Sequence, residues 1–544
     1  MRFPSHAGFW SLALVSVSTA VLVGCVTDVP LDDAAWPTER QPLPACETPW
    51  TRPFAVPDAA SPTGDVLADV DVMQPVGAEL RMRIEVLDGG ELDADFDGAV
   101  GIVASPPGLW VELDASASGG VVEVRYRLDQ PGLVSLSLSV DDGRTGSAQL
   151  FGFESQLPLW RLETTAEDWQ TLRTSASGTD RVRVPVGLEV DGEAFTGTVR
   201  LHGGSSVEFS KKSFRIDLGE DDDGEQQVLP SGSDHLILRA EYADKTMLRN
   251  WLSFDVARNG TWLPASRIQP VHLRVNGAFY GLMMHTERVD ADWLERRGLD
   301  RDGQLYEADP PLALSSPGGN LTPQPDLDTY QQVYQHHRGT IEYEDLVGLI
   351  EDRLSPEGVE YGLPPGEEIA VSDLLAYTAV MSVVQNQDHL RKNYYLYRDR
   401  RSADESRWQA VLWDMDLTWG HLWTAENDVL DEGITWDGPV VVGDNDVIDA
   451  FDHNALLHRV LLDDDVRDTL HDYILHLAYD VADPTFVEER LANVLCRITP
   501  EVLADRRKRA SNDEYLGRVD EITQFLAGRV GSITEELDPT RLGR

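Results

Sequence analysis

Apolar and polar residues alternate in Leu80–Val86, Val121–Leu128 and Val134–Val140, and a period of two puts the apolar set on one face of a strand. Turn residues such as Asp88-Gly89-Gly90 and Asp141-Asp142-Gly143 separate these runs at short intervals. Residues 65–155 are therefore expected to form a small antiparallel β-sandwich, serving as a spacer or binding module. Alternation returns in Arg181–Val190 and, after Asp191-Gly192, in Phe195, Gly197, Val199 and Leu201, which reads as a β-hairpin. A second hairpin is expected from Ile268–Val275, the turn pair Asn276-Gly277 and Phe279–Met284. Elsewhere the period lengthens. Met247, Leu248, Trp251, Leu252 and Val256 fit one helical face capped by Asp244, and helical spacing recurs in Leu374–Val384, Asn454–Leu462, Val466–Val481 and Phe486–Leu495. Residues 156–540 thus read as a mixed α/β (α+β) domain ending in a helical lobe, and no repeat of solenoid length is visible.

The chain's start carries an address. The apolar run Phe9–Val23 behind Met1-Arg2 is short for a membrane span and reads as a secretory signal over residues 1–24. It ends in Leu22-Val23-Gly24-Cys25, which resembles the lipobox of bacterial lipoproteins; a chance cysteine closing an ordinary signal is the rival. The resemblance implies acyl chains on Cys25 and a tether outside the cytoplasm, with Val26 rather than Asp pointing to the outer membrane or cell surface. Residues 25–64, rich in Pro and Asp, are expected to form an extended tether. Cys46 and Cys496 can pair in an oxidising compartment, but their separation leaves paired and free states equally open. With 46 Lys plus Arg against 94 Asp plus Glu, the net charge of −48 excludes nucleic acid as a partner and names no other.

Candidate chemistry is confined to the second half of this organisation. Asp93-Ala94-Asp95-Phe96-Asp97-Gly98 opens like a calcium loop, but Ala104 stands where an EF-hand needs a bidentate carboxylate, so a polar turn is expected. His202-Gly203-Gly204-Ser205-Ser206 offers backbone amides to an anion, or is a plain turn. In the next strand Lys212, Phe214, Ile216 and Leu218 share one face, so the Lys212 ammonium points with the apolar side chains, where a phosphate would neutralise it. Lys211 then faces solvent, and a register shift of one would exchange the two. Glu287, after the second hairpin, is either a polar contact in a cleft or a charged strand end.

The richest stretch runs from Asn386-Gln387-Asp388 through Asn393-Tyr394-Tyr395-Leu396-Tyr397 to Trp413-Asp414-Met415-Asp416. A strand, a turn and a return strand would bring Asn393 and Asp414 to one end. Oxygen ligands at a strand edge suit Mg²⁺ or Mn²⁺ on nucleotide phosphates, and phosphoryl transfer also needs a phosphate-holding cation and a carboxylate for the attacking hydroxyl. Asp388 and Asn393 have the five-residue spacing of the catalytic Asp and metal-binding Asn of protein kinases.

With Gly203–Ser206, Lys211–Ile216, Leu248-Arg249-Asn250 and Val275 through Gly281 to Glu287, these segments resemble the spore coat protein H (CotH) kinase family over residues 157–510. The resemblance implies an atypical protein-kinase-like fold that transfers the γ-phosphate of ATP to protein Ser or Thr. On that pattern Asp388 is the base-like catalytic residue, and Asp414 with Asp416 binds metal, joined by Asn393 on the wider kinase comparison. Gly203, Gly204, Ser205, Ser206, Lys211, Lys212 and Glu287 contact the nucleotide, with Lys212 holding phosphate. The His-Arg that precedes the catalytic Asp in ordinary kinases is replaced here by Asn386-Gln387, so no activation switch through that Arg is expected. Scarce ATP outside the cytoplasm leaves a catalytically silent surface-binding scaffold as the alternative. A metal-dependent hydrolase built on Asp414 and Asp416 is disfavoured by the lack of paired His nearby.

Overall fold

The computed structural model describes residues 36–37, 41–44, 46, 63–69, 72–175, 181–221, 223–311, 314, 318–340, 342–354, 368–386, 389, 391–401, 406–421, 423–424, 429–430, 440 and 454–538. The signal segment with Cys25, Asp388, the stretch Asp444-Asn445-Asp446 expected as an exposed acidic loop rather than a cation site, and His453, expected at a helix start rather than as a ligand, lie outside the described residues.

Alternation builds the first unit as expected. In Leu80–Asp88, Met82, Ile84 and Val86 are fully buried while Arg81 and Arg83 face out, and two five-stranded sheets bury their apolar faces in a shared core. The Asp93 loop is a closed polar turn: Arg144 pairs with Asp93 at 2.8 Å and the amide of Gly119 donates to Asp97 at 3.0 Å.

The strands β1 (Leu159–Glu163), β2 (Val184–Val190), β3 (Glu193–His202), β4 (Ser213–Leu218), β5 (His235–Arg239), β6 (Ile268–Val275) and β7 (Ala278–Glu287) form a closed barrel ordered β1-β2-β3-β4-β5-β7-β6. Both expected hairpins are present. Closure comes from parallel pairing of β1 with β6, which sets Trp160 opposite Leu273. Val199, Leu201, Phe214, Ile216, Leu236 and Leu238 fill the interior. The period of two therefore leaves Arg200, His202, Arg215, Asp217 and Arg239 on the outer face of β3, β4 and β5.

A second lobe carries a sheet of β8 (Gln304–Ala308), β9 (Tyr334–Arg338), β10 (Tyr394–Arg398) and β11 (Trp408–Leu412), ordered β9-β8-β10-β11. Its apolar face meets the outside of the barrel where Ile237 packs with Tyr395, Val411 and Trp413. Helix α1 (Arg249–Gly260) starts later than expected, yet Asp244 still satisfies its first amides, accepting from Leu248 N at 2.9 Å and Arg249 N at 2.8 Å. Helix α2 (Val371–Val384) is apolar nearly all round and almost wholly buried, as a central helix must be. The amphipathic stretches near the C-terminus form helices Ala455–Leu461, Asp464–His476 and α3 (Pro484–Ala504), followed by α4 (Asn512–Leu537), which the sequence reading did not pick out. No described helix is long and apolar enough to cross a membrane.

Of the expected tether over 25–64, residues 36–37, 41–44, 46 and 63–64 are described, and these have partners on the folded body. Trp36 lies edge-on to Trp262 and Tyr473 with centroids 5.0 Å away in each case. Arg490 donates to Gln41 O at 2.6 Å, Asn493 to Pro44 O at 3.0 Å, and Cys46 is disulfide-bonded to Cys496. Ring contacts, hydrogen bonds and the cross-link thus hold these described residues against the helical lobe, and Thr63–Gly64 already belongs to the sandwich. The sandwich is likewise seated on the barrel: Arg274, just before the β6–β7 turn, donates to Gly77 O at 2.8 Å and Val76 O at 2.9 Å.

Candidate active site

Three strand ends meet at one edge of the second-lobe sheet. Ala308 pairs with Tyr394, and Tyr394 with Leu412, so Asp309 after β8, Asn393 before β10 and Asp414 beyond β11 share that edge. The amide of Asn393 donates to Ala308 O at 2.8 Å. The expected meeting of Asn393 and Asp414 follows from this register. Asp309 was missed; its signal was a carboxylate ending a short apolar strand just before Pro310-Pro311. Asn393 at φ 64° and Asp414 at φ 46° are left-handed, as is Glu241 at φ 45° on the opposite wall. Such conformations cost on the order of 1 kcal/mol or more and persist where surrounding contacts impose them, commonly at functional sites.

The opposite wall is Arg239, at the end of β5. Its guanidinium donates to Asp414, stands 3.7 Å from Asp416 and reaches Glu241 at 3.1 Å. Burial works against its charge, but Asp414, Glu241 and Asp416 outweigh burial and hold it above the ordinary arginine range. Asn250 of α1 ties both walls, donating to Glu241 at 3.2 Å and accepting from Met415 N at 3.1 Å. Burial, reinforced by Asp244 and Asp414, raises Glu241. Asp309 reaches solvent, yet the surrounding protein and the charges of Glu307 and Asp414 push it up to about 6. Neither Arg239 nor Glu241 was singled out from the sequence.

The glycine turn lies beside this wall. Gly203 sits at φ +104°, and a Cβ there would lie 1.8 Å from Ser206 Oγ, whereas Gly204 faces open space. The side chain of Ser205 lies outside the described residues. The lysine assignment is reversed. Strand β4 begins at Ser213, so Lys211 and Lys212 belong to the preceding turn and the strand's alternation does not reach them. Lys211 is the buried one: both it and Asp505 are fully buried at 2.7 Å, and Lys211 also donates to Leu282 O at 2.5 Å. Lys212 is only half-buried and donates to Val207 O at 2.5 Å. The carboxylate that neutralises the buried ammonium thus comes from the protein itself. Gly281 makes room for it, since a Cβ there would lie 2.3 Å from Asp505 Oδ2.

Of the two readings of Glu287, the structure places it at a strand end with partners of its own. It ends β7 just before the crossover into the second lobe, and its carboxylate is engaged by Arg297 at 2.5 Å and the amide of Arg267 at 2.8 Å. Burial opposes its charge, but those partners hold it below the ordinary range. It braces the crossover.

Among the described residues, no group of three or more His, Cys, Asp and Glu side chains is gathered to hold a metal ion. Mg²⁺ rarely needs one, because phosphate oxygens and waters complete a shell begun by one or two carboxylates. Asp414, Asp416 and Asn393 offer hard oxygen donors of that kind, and Asp309 adds negative charge beside them, so the donor set fits a phosphate-bound divalent cation.

The CotH kinase protein family model matches residues 199–533, more than half of the chain. The chain belongs to this family. It is also 23% identical over 394 residues to the inner spore coat protein H of Bacillus subtilis (strain 168), an alignment that covers 71% of this chain and 98% of that protein. The CotH match takes in the glycine turn, Arg239, the carboxylate edge and Asp505, and leaves out the sandwich, β1 and β2. The CotH region also holds a small cavity lined by Tyr377, Tyr394, Asn454 and His389. Among the described residues, Tyr377 Oη and both ring nitrogens of His389 are buried without partners, and burial pushes His389 down to about 3.

Proposed function

We propose that this chain is an exported, lipid-anchored protein kinase that transfers the γ-phosphate of ATP to a Ser or Thr hydroxyl of a surface or envelope protein. The observation that supports it is the convergence of Asp309, Asn393 and Asp414 on one sheet edge opposite Arg239, flanked by an open glycine turn. Phosphoryl transfer is chiefly positioning and charge neutralisation, and this arrangement supplies cation, carboxylates and amides from different elements. Asp414, with Asp416 and Asn393, would hold Mg²⁺ or Mn²⁺. When bound, that ion supplies charge neutralisation on the phosphates. Arg239, rather than Lys212, is the cation assigned to phosphate, exchanging its contact with Asp414 for phosphate oxygens. Asp388, five residues before Asn393, is assigned from sequence to orient the acceptor hydroxyl.

Membership of a family named for its kinase, and a relative named for the spore coat, support this reading and a location in the cell envelope. The lipobox-like Leu22–Cys25 refines it to a lipid anchor at the outer membrane or cell surface. The test is incubation of the purified chain with γ-labelled ATP and Mg²⁺ or Mn²⁺, beside Asp388→Ala and Asp414→Ala. Label is expected to be lost in both variants, with nucleotide binding weakened mainly in the second. Label from the α position would replace the reading with AMP transfer, and a chain that binds no nucleotide would be a scaffold.

A further inference from the structure

The outer face of β3 and β4 carries more cations than its own carboxylate can serve. Asp217 is shared by Arg183, by Arg215 at 2.8 Å and by His235 at 2.8 Å. Arg181 donates to Leu201 O at 3.1 Å and to Gly203 O, tying the glycine turn to this face. Arg200, directly across the ladder from Arg215, makes no ion pair among the described residues. Among the described residues its Nη1 reaches only Leu201 O, at 3.3 Å, and its buried Nε has no partner. Burial and the charges of Arg215, Arg181 and Arg183, opposed by Asp217, push it down to about 10. His202, two residues along the same face, is kept neutral by burial and by Arg239, Arg200, Arg181 and Arg215. The face fronts the cleft: the charge of Asp309 reaches Arg181, and that of Arg288 in the crossover reaches Arg215.

A cation desolvated among other cations is unfavourable until an anion completes its shell. We propose that Arg200, flanked by Arg181 and Arg215, is the anchoring cation of a polyphosphate site on the barrel's outer face, filled by the phosphate chain of the nucleotide. This rests on the kinase reading and deepens it: the chain is gripped by arginine forks on one wall before any carboxylate-bound metal acts from the other. A guanidinium presents paired donors matched to phosphate oxygens, and the site has no need of a divalent ion. It therefore predicts metal-independent affinity.

The experiment is calorimetric titration of the purified full chain in EDTA with tripolyphosphate, ATP, adenosine and a phosphoserine peptide, comparing wild type with Arg200→Gln and Arg200→Lys. Wild type is expected to bind tripolyphosphate and ATP. Arg200→Gln should weaken both about tenfold or more, as expected for a charge-assisted contact, and Arg200→Lys should recover part of the loss, with adenosine unchanged. Arg200→Gln should melt at or above wild type, because it removes an uncompensated cation; a lower melting temperature would mark a structural role and overturn the proposal. Tripolyphosphate binding indifferent to Arg200, or Arg200-dependent binding of the phosphopeptide alone, would also overturn it. If no phosphate is ever transferred while tripolyphosphate binding still depends on Arg200, the kinase reading fails and the anion site stands. Transfer with an unaltered KM for ATP in Arg200→Gln sinks the anion site and leaves the kinase.

Discussion

Replacing Lys211 with methionine tests the tie between the glycine turn and the end of α3. Lys211 and Asp505 have no exposed side-chain surface, and the ammonium serves both the carboxylate and Leu282 O. Methionine keeps the length of the stem but leaves Asp505 buried with little beyond the amide of Arg507 at 2.9 Å. Removing one member of a buried pair costs about 3–5 kcal/mol, and the orphaned carbonyl belongs to the same loss. Asp505→Asn strands the ammonium in turn. Burial already lowers the affinity of Lys211 for its proton, so it can shed its charge and limit the damage. The double variant carries no stranded charge and should recover about 2 kcal/mol or more over the sum of the singles. Urea unfolding followed by tryptophan fluorescence closes the double-mutant cycle. A Lys211→Met variant within about 1 kcal/mol of wild type, or strictly additive effects, would refute the reasoning.

Two further outcomes follow from buried groups. His389 stays neutral in the folded chain, its ring pushed from 6.5 down to about 3, whereas unfolding frees it to take a proton. Stability should therefore fall by up to about 1.4 kcal/mol per unit as pH drops below about 6.5. The difference between wild type and His389→Leu should change between pH 7 and pH 5 in the variant's favour; an unchanged difference would contradict the neutral ring. Cys46→Ser opens a link spanning 450 positions and should cost about 2–5 kcal/mol, checked by unfolding and by a non-reducing peptide map that must contain the Cys46–Cys496 pair.

What was legible in the sequence was local. Alternation around Asp191-Gly192 and Asn276-Gly277 specified hairpins because neighbours in sequence are neighbours in space. The same logic put Asn393 and Asp414 together across one hairpin. Barrel closure was hidden, because β1 meets β6 at a distance that no periodicity records. Arg239 was hidden for the same reason, as its partner Asp414 lies 175 positions away. The lysines failed on the strand's start: β4 begins at Ser213, one residue after Lys212, so the period of two does not govern the turn that carries them. Glu287 shows that a strand-end carboxylate can be claimed by Arg297 ten positions on, and Gln41 that a Pro-rich stretch can be claimed by α3, 449 positions away.

The docking of Trp36 sets the length of the leash. Should Cys25 carry the proposed acyl chains, only the stretch between it and Trp36 remains to span the gap, at most about 40 Å fully extended. A leash running from Cys25 to the sandwich would have allowed more than three times that. The folded body would then ride close above the bilayer. If the proposed transfer takes place, its acceptors would be drawn from the thin layer within that reach, and a soluble protein passing farther out would go untouched.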